Sequence, residues 1–275
     1  MTKPIWILRL LLLLAALTAA FAAAAAADRL DDIRARGKLI VGVSDTTPPF
    51  SFRRPGAAEV TGYDIALVRA VAKRFGVAVE TLSLISAQRI PMLNDGTLDF
   101  VATSMTRTKD REKEIDFSVI YFVTPHAVIV KKASGIKSVR ELAGRKVSSA
   151  RASTAGDNVK EVVPEANIVY VDNYDIAFTA LKDDKVDAFT TDETVLQAIV
   201  RQSGAPDDYV FLPDFTKSRN VGFALKKGEP RLKAAINQAL LDTEASGEAA
   251  EIFATWFGPG SEMPMTRKFR IEADR

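Results

Sequence analysis

The 275-residue chain contains no cysteine. That absence excludes a disulfide framework, a thiolate metal site and a lipid-modified N-terminal cysteine. Histidine is nearly missing as well: His126 is the only one. One imidazole cannot build a His-rich metal centre, and it gives a histidine-based catalytic triad little support. No metal and no cofactor is expected. Long apolar runs are confined to the first 27 residues, where Lys3 and Arg9 lead into a leucine-rich core and then an alanine run. This is the layout of a secretory signal peptide, with cleavage expected near Ala27. An uncleaved anchor is the competing reading, since residues 10–27 are almost long enough to span a bilayer. Excess charge is missing too. Without Lys3 and Arg9, the 37 basic residues fall to 35 against 35 acidic ones. A formally neutral mature chain lacks the basic footprint of a nucleic-acid partner, and an exported, soluble protein is expected.

What is present is an alternation of strands and helices. "KLIVGVS" (38–44) is a short β-branched apolar run, the pattern of a buried strand. The paired prolines of "TTPPFSF" force a loop. "GYDIALVRAVAKRFG" (62–76) places Ile65, Leu67, Val68, Val71, Ala72 and Phe75 on one helical face and ends on Gly76, a C-cap. "VAVETLSL" (77–84) returns as a strand. "KVSSA", "TAGDNVKEVVP", "ANIVYV" and "YDIAFTALKDD" repeat the alternation further on. The class is therefore α/β, with mostly parallel sheets. Two stretches, "MLNDGTLDFVATSMT" (92–106) and "ALKDDKVDAFTTDET" (180–194), share one plan: helix end, polar turn, Asp, apolar strand, polar exit. Ser104 and Asp192 occupy matching places past the two strands. Such exits line the ligand edge of an open α/β sheet, and two lobes meeting there would form a cleft.

"TSMTRTKDREKEIDFS" (103–118) reads as a helix start with Thr108 as N-cap, yet Arg107, Lys109 and Arg111 crowd its positive end. Cations are unfavourable there. Arg111 is either a surface residue paired with Asp110 or Glu114, or an anion ligand whose planar fork suits a carboxylate.

"GYDIALVRAVAKRF" resembles the signature of the amino-acid-type solute-binding proteins of bacterial ABC transporters, with Ala66 where that signature usually has an acid. "TSMTRTKDREKEIDFS" resembles the same family's carboxylate-binding segment. "SAQRIPMLNDGTLDF" (86–100) and "SGEAAEIFATWF" (246–257) are similar to its glutamate/aspartate-binding branch. The resemblance implies a type II periplasmic binding protein fold: two α/β lobes joined by two crossing strands. Lobe one would hold residues 28–124 and 222–264, lobe two residues 125–221, with the hinge near "FVTPH" and "SRNVG". The tail 265–275 is polar and is expected to be poorly ordered.

The same resemblance implies a periplasmic monomer that closes around a polar, acidic amino acid and delivers it to a membrane permease. It puts Arg111, Ser104 and Thr106 on the ligand carboxylate, and Asp192 on its ammonium. Asp192 could equally cap the following helix, and Thr154 could cap a helix or meet the carboxylate. Arg89 and Ser86 match the family's side-chain contacts, although Arg89 also reads as a helix-start residue before Pro91. Tyr174 stands where the branch usually has His, and Ser44 where it has a further arginine. Phe50 and Phe52 would cover the ligand's aliphatic part, or else belong to the core. Asp45 is a candidate polar contact to lobe two, and His126 a structural hinge residue. Dehydratases of cyclohexadienyl acids share this scaffold, so an enzyme is the alternative, and a ligand-presenting sensor module a third.

Overall fold

The computed structural model describes residues 29–213, 215 and 217–274; the expected signal peptide lies outside them. Lobe one begins with β1 (Lys38–Val43) and a small antiparallel meander of β2 (Thr46–Thr47), β3 (Ser51–Arg53) and β4 (Val60–Thr61). It continues with β5 (Ala78–Ser83), β6 (Phe100–Ala102) and β7 (Ile115–Phe117). The long β8 (Phe122–Lys131) leads into lobe two. That lobe adds β9 (Lys146–Ala150), β10 (Asn167–Val171), β11 (Ala188–Asp192) and β12 (Tyr209–Phe211). The chain returns along β13 (Lys217–Val221) and β14 (Ala224–Lys226).

The first sheet has the order β5-β1-β6-β14-β7, and the second β10-β9-β11-β8-β12. β1 runs parallel to β5 and β6, whereas β14 is antiparallel to β6 and β7. In the second sheet β9 is parallel to β10 and β11, and β8 is antiparallel to β11. β8 and β13 pair antiparallel from Phe122–Val221 to His126–Lys217, and this two-stranded ribbon connects the two sheets. The architecture has the α/β class expected from the strand and helix pattern and the two-lobe arrangement that the resemblance implies.

The periodic segment after the prolines forms a helix, Tyr63–Phe75, closed by Gly76 in the left-handed region at φ 69°. Its start is clamped. Gly62 sits at φ 137°, and a Cβ there would lie 2.0 Å from the Phe50 carbonyl oxygen, so only glycine fits. The N–H groups of Tyr63 and Asp64 donate to the Pro49 and Phe50 carbonyls at 2.9 and 2.8 Å. The tightest part of the core is aromatic: Phe50, Tyr63, Phe122, Phe253 and Phe257 contact one another with ring centroids 4.8–6.4 Å apart. Edge-to-face contacts of this kind add to the free energy of burying the rings.

The tail departs from expectation. Ile271 is buried, Phe269 packs against Phe122 and Phe253, and the Glu244 carboxylate accepts from Arg267, Arg270 and the Ile271 N–H. Arg107, just beyond Thr106, donates to Asp274 at 2.7 Å. Two apolar side chains inside a polar decamer are enough to dock it behind the hinge. The segment 103–118 also differs: its helix is a single turn, Arg111–Glu114. With so short a helix there is little dipole for the cations to oppose.

Candidate functional site

Two polar strand exits face each other between the lobes. On the lobe-one side, Ser104 follows β6 at φ 49°, a left-handed conformation unusual for a residue with a side chain. Its N–H donates to Asp64 Oδ2 at 2.7 Å and its hydroxyl to Asp192 Oδ2 at 3.3 Å. Thr106 bridges to Val221 of the returning strand. Thr108 Oγ1 accepts from the Arg111 N–H at 3.2 Å. The Arg111 guanidinium ignores Asp110, which pairs with Lys113 instead. It donates to the Thr106 carbonyl at 2.7 Å and, across the cleft, to the Ala152 carbonyl at 2.9 Å. Arg89 is buried, lines the same walls as Tyr174 of lobe two, and its Nε makes no hydrogen bond.

On the lobe-two side, Asp192 ends β11. It precedes the helix Glu193–Gln202, but its side chain does not cap that helix. Asp192 Oδ1 is buried without a hydrogen bond. His126 Nε2 stands 3.2 Å from it, outside hydrogen-bond alignment. Asn158 Nδ2 lies 2.7 Å from His126 Nδ1, an assignment that leaves the ring proton on Nε2, toward Asp192. Thr154 does not cap its helix with its side chain either; its hydroxyl lies 3.5 Å from His126 Nε2.

Between these groups lies a narrow space of about 240 Å³, counting the part open to solvent, lined by Arg89, Ser104, Thr106, Arg111, His126, Ser153, Thr154, Tyr174, Thr191 and Asp192. Arg89 and Tyr174 also wall a second chamber of about 180 Å³, counting the part open to solvent, which Ser44, Thr47, Ser86, Asp172 and Asn173 line as well. Burial, with the Arg89 cation alongside, pulls Arg111 down to about 10. Arg89 is lowered from its ordinary value by burial, against the pull of Tyr174 and Asp192. A buried, unpaired carboxylate oxygen and a buried, unpaired guanidinium nitrogen are costly in isolation. Together they describe a site that is complete only with a ligand bearing both a donor and an acceptor.

Two expected contacts lie elsewhere, and a third, Asp45, faces lobe two as expected but outside both chambers. Phe50 is fully buried in the aromatic core, and Phe52 packs on Trp256 at 6.0 Å under the Arg54 guanidinium. Phe50 points inward because the helix clamp at Gly62 draws its backbone onto the core, whereas Phe52 also borders a groove with Asp175 and Phe178. Asp45 lines a separate groove beside Asp175 of lobe two, not either chamber. His126, in contrast, is a wall of the site. The antiparallel register of β8 and β11 sets it directly opposite Asp192, which strand pairing shows and a single strand's sequence does not. Asp64 was likewise legible only as a residue at a helix start.

The profile of the bacterial extracellular solute-binding proteins, family 3, matches residues 39–259. The chain belongs to this family. It is 35% identical over 233 residues to the ABC transporter glutamine-binding protein GlnH of Bacillus subtilis (strain 168), covering 83% of this chain and 84% of that one. It is 41% identical over 177 residues to the glutamine-binding protein of Geobacillus stearothermophilus, covering 63% and 68%. A solved ancestral arginine-binding protein bound to glutamine superposes with TM-score 0.76 at 37% identity, covering 81% of this chain and 99% of that one. These relatives are binding proteins, and the chain is a binding protein of an amino-acid ABC transporter, not an enzyme. None of these three is named for glutamate or aspartate, the branch that the segments 86–100 and 246–257 suggested.

Proposed function

We propose that this protein is a periplasmic receptor for glutamine, which it hands to an ABC permease. The observation that carries the reading is the buried Asp192 Oδ1, which makes no hydrogen bond, has His126 Nε2 3.2 Å away and faces the same space as Arg111. An α-ammonium fits the first and an α-carboxylate the second. Thr106 and Thr154 add hydroxyls toward the carboxylate end, while the Ser104 hydroxyl turns to Asp192 at the ammonium end. The side chain then passes Arg89 into the second chamber, where Arg89 Nε and Ser86 meet an amide oxygen. A cationic side chain is poorly matched: Arg89 repels it, and Asp172 is half exposed and already near Arg151 at 3.8 Å. A second buried carboxylate has only Arg89 to answer it, because Ser44 stands where another arginine would.

Closure follows from the same contacts. Ser104–Asp192, Arg111–Ala152 and Arg89–Tyr174 all cross between lobes, so a ligand bound by both sides shifts the open–closed equilibrium toward this state. Titration calorimetry over the amino acids tests the assignment. Glutamine binds, and Arg111→Ala and Asp192→Asn each weaken it at least about tenfold, the scale of a lost charged hydrogen bond. Equal affinity in both variants, or a preference for arginine, would sink it.

A further inference from the structure

Asp64 takes no part in the ligand contacts above, yet its placement is built rather than incidental. It is fully buried at the start of the helix Tyr63–Phe75. Its Oδ2 accepts from the Ser104 N–H at 2.7 Å and its Oδ1 from the Tyr121 hydroxyl at 2.9 Å. Ser104 is the residue held at φ 49°, a conformation that persists only where its surroundings impose it. With the N–H tied down to Asp64, the Ser104 hydroxyl is turned up to Asp192.

The charges of the site add a second argument. Its walls carry two cations, Arg89 and Arg111, against one anion, Asp192; Asp172, in the second chamber's wall, stands by Arg151. A ligand with no net charge would leave one positive charge unbalanced in a poorly solvated space. Asp64 lies beneath the same floor, close enough to feel Arg89 and Asp192. We propose that Asp64 is a positioning residue that aims Ser104 at the ligand and, as the site's buried counter-charge, matches the site to an uncharged side chain. This rests on the glutamine reading. Asp64 ionised balances the two arginines for glutamine; Asp64 neutral leaves a surplus cation that welcomes glutamate.

Burial pushes the Asp64 carboxyl up to about 7, held back by Tyr121, the Ser104 N–H and Arg89, while Asp192 raises it further. Tyr63 and Tyr121 beside it are themselves raised by burial and stay neutral throughout this range. The neutral form therefore grows as pH falls through 7, and selectivity moves toward glutamate in the same direction. His126 also faces Asp192 and must be separated from this effect.

The test measures the ratio of glutamate to glutamine dissociation constants by calorimetry at pH 8.5 and 5.5, for the full mature chain and for Asp64→Asn. In the unaltered protein the ratio falls about tenfold toward pH 5.5, the scale of one buried charge acting on another without contact. In Asp64→Asn it is already low at pH 8.5 and stays flat. A flat ratio in the unaltered protein overturns the proposal even if the variant does not fold. A pH-dependent ratio surviving in Asp64→Asn overturns it as well, assigning the effect to His126. If the unaltered protein binds neither amino acid, the glutamine reading fails first and this inference with it.

Discussion

The two lobes repeat one αβ unit, and they hold it with unequal force. In lobe one the Asp before β6 is Asp99, whose side chain is 0% exposed; in lobe two the Asp before β11 is Asp187, at 33%. Each reaches sideways to the neighbouring strand: Asp99 Oδ2 accepts from the Ile40 N–H at 2.6 Å, Asp187 Oδ2 from the Lys146 N–H at 2.8 Å. Asp99 also grips Arg29 and Arg36 at 2.7 and 2.5 Å, while Asp187 has Arg145 alone at 3.1 Å. Beyond the strands the roles diverge. Lobe one offers donors and cations, Ser104 and Arg111; lobe two offers the anion Asp192. A shared backbone plan thus fixes where polar groups emerge, and in the proposed function single side chains decide which end of a zwitterion each lobe takes.

The sharpest way to break the comparison is Asp99→Asn. An amide would turn N–H groups toward two guanidiniums and remove the charge both depend on. The expected loss is about 3 kcal/mol of unfolding free energy, the range for breaking a buried ion pair. Guanidinium denaturation reads the loss, and hydrogen exchange should place it in lobe one, around β1 and β6. A loss below that of the matching change at Asp187 would refute the ranking.

The docked tail belongs to lobe one and has no counterpart in lobe two. Burial works to raise the Glu244 carboxyl, but the Arg267 hydrogen bond, the Ile271 N–H and the Arg267 and Arg270 charges outweigh it and hold it below its ordinary value. A depressed carboxylate stabilises the fold above its unfolded pKa, and that contribution is lost as pH falls through the folded one. Glu244→Gln should therefore cost about 1–2 kcal/mol at pH 7 and progressively less below pH 4, as charge-assisted bonds disappear. Melting curves of both proteins across pH check it; a constant gap would refute the assignment.

The elements were readable in the sequence because each advertises itself locally. Gly76 ends its helix, and the β-branched run 38–43 forms its strand. Ser104 and Asp192 could be matched because the repeat spacing carries them. What local pattern cannot carry is pairing. His126 meets Asp192 through antiparallel register, and Asp64 meets Ser104 across 40 residues of chain. Phe50 went the other way: a loop position near the cleft says nothing of which side the ring faces, and the closely approaching backbone at Gly62 turns it inward. The tail misled by composition, since Phe269 and Ile271 are few but well placed.

Asp187→Asn is the gentlest probe and the most discriminating for the repeat. The amide oxygen can keep the Lys146 N–H bond, and Arg145, with its side chain 50% exposed, can turn to water. Only a partly solvated ion pair is lost, so the expected cost is about 0.5–1 kcal/mol. Glutamine affinity should stay within about twofold, because Asp187 lies at the far end of β11 from Asp192 and a change this small leaves β11 paired with β8 and β9. A loss in affinity matching that of Asp192→Asn would mean that the base of the strand, and not only its exit, sets the position of the anion. The two lobes would then be coupled through their repeated unit as a whole.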